Sequence, residues 1–500
     1  MTERIWPLRG ATVVGSAAGR AFRMPVLGPA VDAHATLPAT RIRSALWVVV
    51  PGAVIGGLII AGTAIGSGSV ALIGAGLALV AAVVVPEVGL AVLAMLAPLL
   101  PPPGIPAPGL NLMLVGALLL GCIYRLPVDR PYLRLSKSVL FLLGFVIYIS
   151  AQQLPDLLGG YAGDAGHQIG YLFFQVLAGF GLVLAAGYIL RGRSPIPILT
   201  MALLGASVAA IVAILTFDVD VSGSPLVRLV ATADVGLRAA GPFVNPNYMG
   251  MFSAVVLVGI MAMWDGASSR LGRTLLIVVA ILCAVSVVQA QSRGAMIAGF
   301  AGVAAIVWMK NRAAAAAVAG AGLVAAILIY PAFVEWRLTN LRGDVTDAGY
   351  VAMFESDDAR LNASLAGPAM FLAEPIFGVG FGQFVAKSVT ISGLDTGINA
   401  HNWYVNVLAE QGTTGGLLWL GATVAAGAEL RSRRGVGRTV GVGVFTTLVL
   451  GFVFLEGPDS FQLIAIPALF LIAALVSDWG SWRTDERGTG TTVESTGALA

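Results

Sequence analysis

Charge is scarce in this chain: Asp, Glu, Lys and Arg make up 11% of its 500 residues, against 57% apolar side chains. A water-soluble globule carries roughly 25% charged residues, so that class is excluded. Cysteine is scarcer still, with Cys122 and Cys283 each inside an apolar run. Two thiols so placed offer neither a disulfide framework nor metal-ligand spacing, and they read as small core residues. Histidine occurs three times, as His34, His167 and His401. The net charge of +3 gives no footprint for nucleic acid, and its meaning lies in where the charges sit.

What is abundant is apolar sequence. A helix that crosses a bilayer needs about 20 apolar residues and satisfies its own backbone hydrogen bonds. Fourteen candidate spans fall between residues 45 and 477. The second to fifth, between 69 and 151, are short, and Pro86, Glu87 and the PPPGIPAP run at 101–108 break them, so twelve is the alternative count. The expected fold is an all-α polytopic membrane protein of about 12 to 14 transmembrane helices, with a large outer loop carrying short helices. Sixty-three glycines suit close helix packing and need no further role.

Cytoplasmic loops retain positive charge during insertion. With fourteen spans and the N-terminus inside, 22 of the 29 basic residues fall on the cytoplasmic side and seven outside, while acidic residues divide 10 inside and 16 outside. The expected location is the bacterial cytoplasmic (inner) membrane, crossed many times, with both termini cytoplasmic. Residues 1–44 then form a basic flexible tail with six arginines and no apolar signal-peptide core. The transmembrane bundle's N-terminal part covers 45–333, a large extracytoplasmic loop 334–402, the C-terminal transmembrane helices 403–477, and a disordered cytoplasmic tail 478–500. Two further outer loops are expected at 152–168 and 218–246, and an amphipathic helix on the outer leaflet over 359–373.

The seven outer cations are Arg228, Arg238, Arg293, Arg337, Arg342, Arg360 and Lys387. Arg293 opens a helix after a tight turn, where a cation opposes the helix dipole unless it shares an anion there. Arg238 precedes Asn245-Pro246-Asn247, good capping chemistry for the next span. Arg360 follows Glu355, Asp357 and Asp358, with which it could simply pair. His401 stands where the long loop re-enters the membrane, and its ordinary pKa of about 6.5 lets it accept a proton at neutral pH. Upstream, Gly378-Val379-Gly380-Phe381-Gly382 would permit close backbone approach to a ligand, but it lacks the strand and glycine offset of a dinucleotide loop.

Together these residues match a pattern. Arg238 with NPN at 245–247, SRGA at 292–295, Arg360, PIFGVGFGQF at 375–384, and HN-x9-G-x2-G from His401 through Gly412 to Gly415 resemble the O-antigen ligase and polysaccharide polymerase superfamily, over roughly residues 45–477. The resemblance implies a membrane glycosyltransferase of the GT-C type with no metal or other cofactor. Its partners would be an undecaprenyl-diphosphate-linked glycan donor, a glycan or lipid-glycan acceptor, and membrane lipids, with no nucleic acid. It makes His401 the catalytic residue and Arg293, Arg360 and Arg238 the diphosphate-binding ones, with Asn402, Gly380, Gly382 and Asn247 in support. Guanidinium groups meet phosphate oxygens bidentately, which suits a diphosphate in a lipid-lined site. Asp357 and Asp358 could instead hold a divalent ion, which would contradict a metal-free mechanism. The rival class is a secondary transporter or lipid-linked oligosaccharide flippase, for which an ionisable residue near mid-membrane is expected; Glu410 comes closest, and its plainer role is partnering a helix end.

Overall fold

The computed structural model describes residues 38–99, 109–129, 135–160, 163–217, 229–230, 238–243, 245–267, 269–322, 324, 328, 361–392, 399–455, 461–477 and 479. The chain divides into two units, Met1–Ser44 and Ala45–Ala500, and the apolar bundle belongs to the second. Among the described residues every regular element is a helix. The protein is an all-α polytopic membrane protein.

The first helices are α1 (Pro38–Ile65), α2 (Gly68–Val84), α3 (Pro86–Leu96) and α4 (Gly109–Asp129). Ser67 caps α2, its side chain accepting from the Val70 N–H at 3.4 Å, and Pro86 occupies the first turn of α3, where its missing N–H costs nothing. Next come α5 (Lys137–Leu158), α6 (Gly163–Ile189), α7 (Ile196–Leu215), α8 (Pro246–Met263), α9 (Arg270–Gln289) and α10 (Arg293–Lys310). Residues 312–322 form α11. The remaining helices are α12 (Leu361–Ala373), α13 (Phe384–Ser392), α14 (Trp403–Ser432), α15 (Gly435–Gly451) and α16 (Phe461–Val476). Among the described residues, seven helices are long and apolar enough to cross a membrane, and six shorter apolar helices accompany them.

The bundle is built around α8, whose apolar window is 78% buried, whereas those of α1 and α5 are 22% buried and turn most of their surface outward. Helices α9, α10, α15 and α16 pack on α8. Small residues permit this: a side chain at Gly443 would stand 2.8 Å from Ile306, and one at Gly302 would collide with Thr447. Outward-facing apolar side chains such as Trp47 and Leu271 are the normal lipid-facing surface of such a bundle.

At one end Arg125 donates to the Glu87 carboxylate at 2.8 Å and Arg193 pairs with the same group. Glu87 lies in the first turn of α3, Arg125 near the end of α4, and Arg193 in the connection between α6 and α7.

Two expectations need correction. The outer loop at 152–168 is mostly helix, because α5 runs on to Leu158 and α6 begins at Gly163. Its Gln-Gln-Leu-Pro sequence reads as a connection, yet Pro155 sits in the last turn of α5, and Gln152 and Gln153 bond to the 377–381 backbone. The span expected at 404–429 is also interrupted at Gly412. Residues 334–360 and 393–398 of the 334–402 loop, and the tail 478–500 apart from Trp479, lie outside the described residues.

Candidate active site

Helix α14 is two helices joined at Gly412, whose φ of 61° and ψ of −161° are open to glycine. An unbroken helix would send the N–H groups of Thr413 and Thr414 to the carbonyls of Ala409 and Glu410. Instead Thr413 donates to Pro375 at 2.9 Å and Thr414 to Ile376 at 3.1 Å. The carbonyls so released accept from Val379 at 3.0 Å and Gly380 at 2.9 Å. The segment 375–380 is therefore wedged into the helix, and these four backbone groups freed by the break find their partners in it. A Cβ at Gly412 would lie 2.6 Å from both Gly378 N and Ile376 O, and one at Gly378 would collide with the Glu410 backbone. The close approach expected of the 378–382 glycines is thus made largely to α14; Gly382 lies against Ile169 of α6.

The wedge is held from both sides. Tyr148 of α5 donates from its hydroxyl to Phe377 O at 2.7 Å, and Gln152 Nε2 donates to the same carbonyl at 2.7 Å. Glu410 is 6% exposed and accepts from the Phe384 N–H at 2.8 Å, at the start of α13. An anionic oxygen there meets the positive end of the helix dipole. This is the helix-end partnership that the sequence allowed for Glu410.

His401 sits one residue before Asn402, the N-cap of α14, whose side-chain oxygen accepts from the Tyr404 and Val405 N–H groups at 3.1 and 3.3 Å. Its φ of 48° is in the left-handed region, uncommon outside glycine. A strained, half-buried histidine held on both flanks is the sort of feature that functional sites carry. On one flank the Ala400 carbonyl accepts from Ser364 Oγ of α12 at 3.0 Å, and Ala363, Met370, Phe384, Ala400 and Ala409 form a small buried cluster. On the other, Trp403 donates its backbone N–H to Phe452 O at 2.9 Å, and its ring lies 5.4 Å from Trp419.

The arginines form a second group. Arg238 donates from Nε to Ala290 O at 3.0 Å and from Nη2 to Asn247 Oδ1 at 2.8 Å. Ala290 begins the turn that carries Gln291, at φ 50°, Ser292, the N-cap of α10, and Arg293, its first residue. Arg238 and Arg293 therefore flank one tight turn. Asn245 caps α8, accepting from the Asn247 N–H at 2.9 Å, as its sequence predicts.

The two groups share an end of the bundle. Gly294 lies so close to Phe454 that a side chain there would collide with it, and Gly250 of α8 lies under Ser292. Phe454 is two residues from Phe452, the acceptor for Trp403. Arg360, Asp357 and Asp358 lie outside the described residues; Arg360 directly precedes Leu361, the first residue of α12. Among the described residues no group of three His, Cys, Asp or Glu gathers to hold a metal ion.

Residues 276–420 match the O-antigen ligase family model. The match covers less than a third of the chain and supports membership of the O-antigen ligase superfamily and a ligase- or polymerase-type membrane enzyme. It takes in Arg293, Arg360, the 375–380 wedge and His401 through Gly415. Arg238 and Asn247 fall before the O-antigen ligase segment, yet Arg238 is bonded to Ala290 inside it. No curated protein matches the chain.

Four residues around the site escaped sequence reasoning: Tyr148, Gln152, Trp403 and Phe452. Tyr148 and Gln152 lie four apart on α5, a polar pair on one helix face, which is the signal that could have found them. Nothing local marks Phe452, which acts through its carbonyl.

Proposed function

We propose that this protein transfers a glycan from undecaprenyl diphosphate to an acceptor hydroxyl at the outer face of the cytoplasmic membrane. The observation that carries the reading is the joining of Arg238 to the turn bearing Arg293, on the end of the bundle where Trp403 fixes the residue pair His401-Asn402. His401 acts as general base and takes the proton of the acceptor hydroxyl as its oxygen attacks the anomeric carbon. The bond from that carbon to the diphosphate oxygen breaks with inversion. The departing undecaprenyl diphosphate takes the electron pair, and Arg293, Arg360 and Arg238 stabilise its charge. No metal has a part in this mechanism, so a chelator leaves the rate unchanged.

The test uses purified full-length protein in detergent with a lipid-linked glycan donor and several acceptors. Transfer needs no sealed compartment and transport does, so product formation in micelles supports the enzyme, and its absence with every donor and acceptor, alongside transport in vesicles, supports the rival class. Which acceptor is glycosylated separates ligase from polymerase.

A further inference from the structure

The end of the molecule away from His401 holds a cavity of about 910 Å³, close to the upper limit of the roughly 300–1,000 Å³ usual for ligand sites. Its walls come from α4 and α5, its floor from α6, with α16 and the last turn of α14 completing it. The lining is mostly apolar, with aliphatic side chains such as Leu119, Val139, Leu143 and Val183 joined by the rings of Phe180 and Tyr188. Gly187 lies in the floor, and a Cβ there would meet nothing within 4 Å.

Three observations say what fits it. The cavity opens sideways rather than into the bundle, since Ile123 on one wall is 59% exposed and Leu135 on the other 41%; in a membrane protein such faces look onto hydrocarbon. The charged side chains that line it are Arg191, Arg433 and Glu429. The Glu429 carboxylate accepts from the Ser138 N–H at 3.1 Å and from Ser138 Oγ at 2.6 Å, at the start of α5, so its charge is engaged with that helix end. Arg191 and Arg433 are exposed at the mouth. An apolar slot open to lipid, with two guanidinium groups where the hydrocarbon ends, is complementary to an amphiphile with an anionic head.

We propose that this groove seats an anionic phospholipid, its acyl chains between α4 and α5 over Gly187 and its headgroup phosphate against Arg433 and Arg191. The site is separate from the candidate active site, because His401 precedes one end of α14 and Glu429 to Arg433 close the other. It stands without the transferase reading. Basic residues bordering a bilayer attract anionic lipid headgroups by about 1 kcal/mol each.

The test is native mass spectrometry of the delipidated full-length protein titrated with phosphatidylglycerol or phosphatidylcholine. Wild type should retain phosphatidylglycerol over phosphatidylcholine by roughly thirtyfold, the scale of two such arginines. The double variant Arg191→Gln/Arg433→Gln should bind both lipids equally, and Gly187→Trp should lower retention of both. Equal retention of the two lipids by wild type overturns the headgroup assignment, and undiminished binding by Gly187→Trp overturns the groove. If the tryptophan variant does not yield monodisperse protein, Gly187→Leu takes its place. The arginine variant alters only exposed positions and decides the headgroup question by itself.

Discussion

Arg238 reaches from the loop before α8 to the carbonyl of Ala290, three residues ahead of Arg293, and so ties two cations to one turn. Because Asn247 accepts a second bond from the same guanidinium, the anchor is bidentate, and lysine cannot reproduce it. Arg238→Lys should therefore lose nearly as much transfer activity as Arg238→Ala. A double-mutant cycle of Arg238→Ala with Asn247→Ala should give a coupling energy of about 0.5–3 kcal/mol in thermal unfolding. Additive effects would mean that the observed bond does no structural service.

At Arg293 the expectation concerns the ligand rather than the fold. It opens α10, where its charge opposes the helix dipole, so Arg293→Ala should change thermal stability little compared with the collapse of transfer. Arg293→Lys should recover little of the rate, because a point charge lacks the planar fork. Full activity in the lysine variant would rule out bidentate diphosphate binding.

The break in α14 predicts a contrast between two glycines. Gly412 has positive φ and no room for a Cβ, so Gly412→Ala should cost more than the roughly 1–3 kcal/mol typical of such backbone strain. Gly116, inside α4, has nothing within 4 Å of an added Cβ, and Gly116→Ala should stabilise by about 0.5–1 kcal/mol. Melting temperatures of the two variants in detergent check both signs.

Glu410 separates the enzyme from the transporter. Its carboxylate is the acceptor for the first N–H of α13, and a Gln side-chain carbonyl can serve there too. Glu410→Gln should retain most activity, while Glu410→Ala, which orphans a buried donor, should cost about 1–3 kcal/mol of stability. A glutamine variant that folds normally but is wholly inactive would point to proton or ion coupling instead.

The helical class, the cap at Asn245 and the helix at Leu361–Ala373 were legible from apolar run length and from short polar signals next to helix starts. The spacing of His401, Gly412 and Gly415 was visible as well, but its structural cause was not. Gly412 reads as one more small residue in an apolar run until its partners at 375–380 are known, since the exchange of hydrogen bonds joins residues 30 to 38 apart in sequence. The Gln152 and Gln153 side chains misled for the same reason. Polar residues that bond to a distant backbone look, locally, like residues that need water. The seat between α4 and α5 left no trace in sequence, because a slot needs the helices around it.

The proposed chemistry depends most on His401, so the sharpest test is the transfer rate of His401→Ala, measured beside wild type in detergent on matched amounts of protein with equal melting temperature. A general base at this position requires a loss of at least about 10²-fold, the usual scale for removing one, with donor binding retained. A His401→Ala protein that transfers glycan at the wild-type rate would contradict the assignment.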